Sequence, residues 1–264
     1  MCILLPWDGY LLYLKISELL CCILLVIIPW LSFQISWRMN VSEKTGTCLP
    51  YHPSSPSSKS DYLVMAVNRW KRLAFCRPGG DGWTIVNEEH VNHPAYHDIT
   101  YYKGQYYIVD AEGQVWVCDI DDPKQARKRA LNGHPIPVKP ENFNQGQFYY
   151  LMESGGVLLT VQCTTKNYER RYFRVFEVPF DNGDWLDSEV TNLGNRTLFL
   201  GSCSSFSVEA STYSGCKTNC IYFNQPLYGC SNFGVFTMED RKINKNVAEY
   251  SGSLIPQFWI QPSL

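Results

Sequence analysis

From about Asp61 onward, short runs of aromatic and β-branched residues alternate with Gly, Asn, Asp or Pro, which recur about every 8 to 15 residues. The runs that read as strands are Leu63–Val67, Arg72–Cys76, Thr84–Val86, Gln105–Asp110, Val115–Asp119, Gln147–Glu153, Val157–Gln162, Tyr172–Val178, Thr197–Leu200, Ser205–Glu209, Cys220–Phe223 and Phe233–Thr237. Such a rhythm predicts an all-β, antiparallel fold: a sandwich, a barrel or a propeller. Three pairs are expected to be hairpins. Tyr106–Val109 and Val115–Val117 flank a turn ending in Gly113; Tyr149–Met152 and Val157–Val161 flank Glu153-Ser154-Gly155-Gly156; Phe173–Val178 and Trp185–Val190 flank a turn containing Asn182-Gly183. Tyrosines occur as adjacent pairs, at 101–102, 106–107 and 149–150. Neighbouring strand residues face opposite ways, so one of each pair is expected in a core and the other exposed or between sheets. Exposed tyrosines near Arg170 and Arg171 would make a protein-binding surface.

The first 40 residues break the pattern. Leu19–Trp37 holds no charged residue, and nineteen residues at about 1.5 Å each span roughly 28 Å, near the thickness of a bilayer's hydrocarbon layer. Residues 1–40 are expected to be an apolar helical segment. A single-pass membrane anchor is one reading of Leu19–Trp37; a helix packed on the β unit, or a segment outside any folded domain, are the others. No small-x-small cleavage site follows the apolar run, which argues against a signal peptide. Residues 41–60, with Pro50, Pro53, Pro56 and six serines, read as a linker or partial blade, and 61–264 as the β unit.

Charge adds little. The net charge of −2 gives no global field that would draw the chain onto nucleic acid. The basic run Lys124, Arg127, Lys128, Arg129 follows Asp119, Asp121 and Asp122, and reads as a solvated loop or short helix. Eleven cysteines, an odd number spread through strand-like runs, fit reduced thiols in an intracellular protein better than a disulfide framework. Cytoplasm or nucleus is therefore the expected location, with a membrane the alternative.

No motif carries convincing chemistry. His90, His93 and His97 have helical spacing, but Pro94 interrupts them, and they read as loop histidines rather than metal ligands. Cys216 and Cys220, with Cys203 and Cys230 outside them, could form a thiolate site. The simpler reading is that Cys220 faces the core and Gly215–Asn219 is a turn. Ser202, Ser204, Ser205 and Ser207 have no histidine after His134 and no nucleophile-elbow context. There is no phosphate-cradling Gly-rich loop. The paired acids Asp121-Asp122 and Glu239-Asp240 sit in turn-like text. No catalytic residue, metal ligand or cofactor-binding residue is assigned, and the chain is not expected to be an enzyme.

Several motifs in fixed order carry a resemblance. They are Lys71–Gly79 with Trp83-Thr84; Asp98-Ile99 leading into Lys103–Tyr107; Tyr150-Leu151 with Glu153-Ser154; Arg174-Val175-Phe176 and Trp185. The densest are Leu193–Gly201, then Ser207-Val208, Gly215-Cys216 and Asn219–Phe223, and the ending Trp259–Leu264 is similar too. Together they resemble the plant DUF295 family, the KIB-type β-propeller of F-box proteins, over roughly Ser60 to Leu264. The resemblance implies a propeller that selects a target protein for an SCF-type ubiquitin ligase, with an N-terminal F-box docking on a Skp1-like subunit. Residues 1–40 lack F-box-like amphipathic helices, so docking on the Skp1-like subunit is not expected. A membrane-anchored propeller, or a truncated remnant of an F-box protein, are the alternatives. Arg77, Arg196, Gly201, Cys216 and Cys220 are expected to hold turns and blade contacts, with Arg196 fastening several loop carbonyls.

Overall fold

The computed structural model describes residues 2–7, 10–15, 48–50, 64–67, 71–76, 84–86, 95–119, 127–131, 134–138, 146–166, 170–180, 183–201, 205–212, 215–227, 230–244 and 257–259. Among them are twenty strands and one 3₁₀ turn, Ala210–Thr212. Blade 1 is β3 (Cys48–Pro50), β4 (Val64–Val67), β5 (Leu73–Cys76) and β6 (Thr84–Ile85) in sequential order. Blade 2 is β7 (Tyr96–Tyr102), β8 (Gln105–Asp110), β9 (Val115–Asp119) and β10 (Arg127–Ala130). Blade 3 is β11 (Gly146–Ser154), β12 (Val157–Lys166), β13 (Arg170–Glu177) and β14 (Glu189–Val190). Blade 4 comprises β15 (Arg196–Gly201), β16 (Ser205–Glu209), β17 (Cys220–Leu227), β18 (Cys230–Thr237) and β19 (Lys242–Asn244). A fifth sheet joins β1 (Cys2–Trp7), β2 (Tyr10–Lys15) and, parallel to β1, β20 (Gln257–Trp259).

What makes these sheets blades is that cores lie between them. Tyr149, Leu151, Leu158 and Phe176 of blade 3 pack with Tyr107, Val109 and Val117 of blade 2. The alternate residues Tyr150, Met152, Leu159 and Val175 pack with Leu198, Ile221 and Phe236 of blade 4. Likewise Tyr106 and Ile108 join blade 1, through Met65, Leu73 and Phe75. The period of two along each strand thus feeds two cores, and edge strands β7, β11 and β16 of successive blades lie side by side. Blades 2, 3 and 4 bury both faces, as propeller blades do.

The turns follow their sequences. Lys103 (φ 45°) and Gly104 (φ 88°) join β7 to β8 between the paired Tyr102 and Gln105. Gly155 (φ 62°) and Gly156 (φ 89°) join β11 to β12 between Ser154 and Val157. Two consecutive left-handed residues match the twist of the flanking strands.

Three expectations need correction. Within residues 1–40, expected to be helical, Cys2–Trp7 and Tyr10–Lys15 are antiparallel strands. Asp8-Gly9 falls between two runs rich in Leu, Ile, Tyr and Trp, a hairpin signal. Leu19–Trp37 lies outside the described residues; among those described, no helix is long and apolar enough to cross a membrane. Arg127–Ala130 is neither loop nor helix but a strand paired with β9, the last in blade 2 among the described residues. β15 and β17 run parallel because β16 returns on the other side of β15 before the chain crosses its end. The tyrosine pairs at 106–107 and 149–150 follow the second alternative expected, since each sends one ring into one core and the other into the next, between sheets.

Gly113 separates fit from backbone freedom. Its φ is +84°, and an added Cβ would lie 2.9 Å from the Tyr149 ring, whereas at Gly156 (φ +89°) a Cβ meets nothing within 4 Å. Gly156→Ala should therefore cost about 1 kcal/mol and Gly113→Ala about 2–4 kcal/mol. Melting temperatures of the two variants test this; equal losses would show that Tyr149 is not held against the turn.

Candidate functional site

The blades are joined by polar bonds at their ends as well as by apolar cores. On β7, His97 Nδ1 accepts the Tyr149 N–H at 3.2 Å and Asp98 Oδ2 accepts the Leu151 N–H at 3.0 Å. Two side chains of blade 2 thus satisfy the open edge of β11, where a further strand would otherwise pair. At the turn end, Tyr102 O–H donates to Gly156 O at 2.7 Å. Arg196 Nε donates to Ser154 Oγ at 3.0 Å and Ser207 Oγ at 2.9 Å, and those hydroxyls are 2.8 Å apart. Arg196 therefore joins blade 4 to blade 3 through two serine hydroxyls, not through loop carbonyls.

Other sequence candidates also resolve into structure. His97 lies on a strand rather than in a loop and stacks on Phe148 and Tyr149; His90, His93 and Arg77 lie outside the described residues. Cys220 is buried in a cluster with Phe199, Val208, Tyr222 and Val235, and half-buried Cys216 packs against it. Asn219 (φ 55°) closes the expected turn and accepts the Leu193 N–H on its Oδ1 at 2.8 Å. Cys203 and the side chain of Cys230 lie outside what is described; no metal-holding cluster occurs among the described residues. Burial pushes the Cys163 thiol up to about 12, partly opposed by Arg171, so it stays protonated. Arg171 is buried with its guanidinium 4.9 Å from the Phe223 ring centroid, so it does not form the surface expected beside the tyrosines; Tyr172 is the exposed residue there.

A cleft of about 420 Å³ opens between blades 3 and 4. Its floor is Phe173, Val175, Phe236 and Met238, and its rim includes Glu189, Asn192, Asn219, Glu239 and Arg241. Arg174 grips Glu189 through two bonds, Nε to Oε1 at 3.1 Å and Nη2 to Oε2 at 2.6 Å, and donates Nη1 to Pro137 O at 3.1 Å. From blade 4, Arg241 (φ 55°) brings Nη2 to 4.0 Å from the same carboxylate. Sequence reasoning missed the cleft because its residues come from four distant segments; only the left-handed turn at Asn219 was readable.

Two measurements test the junctions. In Arg196→Ala the serines still bond each other, so the loss should be about 1–2 kcal/mol, seen as a lower melting temperature. Unchanged stability would remove the structural role. Burial, aided by the charge of Lys71, pushes the His97 imidazole from 6.5 down to about 4. Between these values the unfolded chain binds a proton that the folded chain refuses. The stability gained is therefore complete above about pH 6.5 and lost as pH falls, by about 2–3 kcal/mol at pH 4. His97→Asn keeps an acceptor that does not titrate, so its melting temperature should fall less between pH 7 and 4.5; parallel profiles would contradict the assignment.

With the geometry in place, comparison with known proteins is direct. The model of the KIB1-4 beta-propeller family matches residues 34–244. A putative F-box protein of Arabidopsis thaliana, At3g25750, is 27% identical over 208 residues, 76% of this chain and 55% of that protein. The Arabidopsis thaliana F-box protein At2g26160 is 27% identical over 184 residues, 66% of this chain and 53% of its own length. F-box protein SKIP23 of the same plant is 24% identical over 205 residues, covering 69% and 46%. The chain spans about half the length of these curated relatives. Sequential blades with cores on both faces and a family match over most of the length agree: the chain belongs to the KIB1-4 beta-propeller family.

Proposed function

We propose that this chain is a non-enzymatic protein-binding module, the target-recognition propeller of an F-box-type adaptor. The family match over residues 34–244 carries the reading. The site chemistry supports it: His97, Asp98 and Arg196 are engaged in bonds that join one blade to the next, and Arg174 in bonds to Glu189 and Pro137. Recognition then falls to the blade ends and the cleft, which a rigid scaffold holds in place. In such an adaptor the propeller selects the target, and an F-box region would dock on a Skp1-like subunit of an SCF-type ubiquitin ligase. Free thiols at Cys118, Cys163, Cys216 and Cys220 favour a reducing compartment, cytoplasm or nucleus.

Affinity capture of the full chain from plant extract, scored by mass spectrometry, is expected to return one target protein in independent replicates. Skp1-like and cullin subunits recovered with it would support ligase assembly, and a recurrent target without them would support a binding module alone. Failure to recover any recurrent protein would sink the reading.

A further inference from the structure

We propose that Arg196, at the junction of blades 3 and 4, holds a carboxylate of an acidic segment of the partner protein. The inference rests on the protein-binding reading above and names the chemistry of one contact. Both bonds that Arg196 makes leave from Nε, to Ser154 Oγ at 3.0 Å and Ser207 Oγ at 2.9 Å. Those hydroxyls are 2.8 Å apart, so side chains of two blades fix one edge of the guanidinium. The remaining N–H groups are on Nη1 and Nη2. Among the described residues nothing accepts from them, no acid pairs with them, and neither nitrogen is buried.

The acids that adjoin Arg196 are already engaged. Glu209, its partner on β16, accepts from Asn195 Nδ2 at 2.8 Å and Ser211 Oγ at 3.2 Å. Glu153, beside Ser154, accepts the Gly156 N–H at 2.6 Å. Arg196 is thus a half-buried cation, fixed in orientation and without a counter-ion. Ordering and part of the desolvation are complete before an anion arrives, which favours binding one. Two parallel N–H donors match the two oxygens of a carboxylate, whereas a phosphate dianion would meet more repulsion from Glu153 and Glu209. Bare backbone flanks the guanidinium: a Cβ at Gly155 would lie 3.5 Å from Arg196 Cδ and 3.9 Å from Nη1. At the same turn Gly156 O accepts from Tyr102 O–H, and on the Tyr102 ring stacks Phe180, 37% exposed. An apolar residue near the acid has that ring to rest on.

The test supplies a carboxylate from the chain itself. Gly155 and Gly156 are both left-handed, the conformation in which Asp-Gly and Asn-Gly are favoured, so Gly155→Asp and Gly155→Asn should fold. Short random peptides displayed on phage and selected on the full chain should be enriched in Asp and Glu. Gly155→Asp places its carboxylate beside the guanidinium and should weaken the selected peptides about tenfold or more; Gly155→Asn, equal in size and uncharged, should stay within about threefold. Replacing the peptide's acid by its amide should cost a similar factor. In an Arg196→Ala background the two Gly155 variants should bind alike, and a difference that survives there would be plain repulsion and overturn the site. Equal binding by the two variants with Arg196 present, selected peptides without an acid, tighter binding of phosphoserine in the acid's place, or selection of no peptide would each overturn it too. None of these outcomes touches the protein-binding reading, which fails only if capture returns no recurrent target.

Discussion

Blades 2, 3 and 4 bury both faces, and much of the described structure follows from that constraint. A strand in an ordinary two-layer sandwich needs one apolar face; here β11 sends Tyr149 and Leu151 into one core and Tyr150 and Met152 into the next. That choice makes tyrosine useful, because its ring fills the core while its hydroxyl can find a partner. Tyr149 does so by accepting from Gln162 Nε2 at 3.3 Å, and Tyr102 by donating across to the next blade. In blades 2 and 3 both faces are spent on cores, and the polar groups gather at strand edges, blade ends and junctions.

Those same places must be held in register, and the polar residues serve this purpose. Arg174 ties together Glu189 and Pro137, and Arg196 ties together Ser154 and Ser207. Arginine suits both positions because its planar fork presents several donors in fixed directions. The Arg174–Glu189 pair is only partly buried, but breaking it would leave the more buried Arg174 guanidinium short of its carboxylate. Its main effect is to fix how β14 leaves β13, and so where the cleft opens.

The sequence revealed elements wherever turn chemistry bounded them. Gln105–Asp110, Val115–Asp119 and Ser205–Glu209 emerge with the boundaries expected. Tyr96–Tyr102 was absent from the expected strands because His97 and Asp98 look like loop residues; their polar side chains are in fact spent on the backbone of the next blade. Arg127–Ala130 was misread because an edge strand tolerates a charge pattern that a central strand would not. The parallel pairing of β15 and β17 was hidden because neighbours in sequence are not neighbours in that sheet. For the cleft, Arg174, Glu189, Asn219 and Arg241 stand far apart in the chain, and no local pattern marks them as convergent.

The two edges of blade 3 are held in different ways. Along β11, the N–H groups facing blade 2 meet acceptors from His97 and Asp98, so that edge is capped by side chains and cannot accept a strand without losing them. Among the described residues, the outer side of β13 pairs only with the two residues of β14, after which Thr191 and Asn192 lead the chain toward blade 4. A pairing that short is held by what surrounds it: Glu177 N–H extends it to Ser188 O, and Arg174 grips Glu189 through two bonds. Both edges of blade 3 are thus fixed by polar side chains, His97 and Asp98 at one and Arg174 at the other.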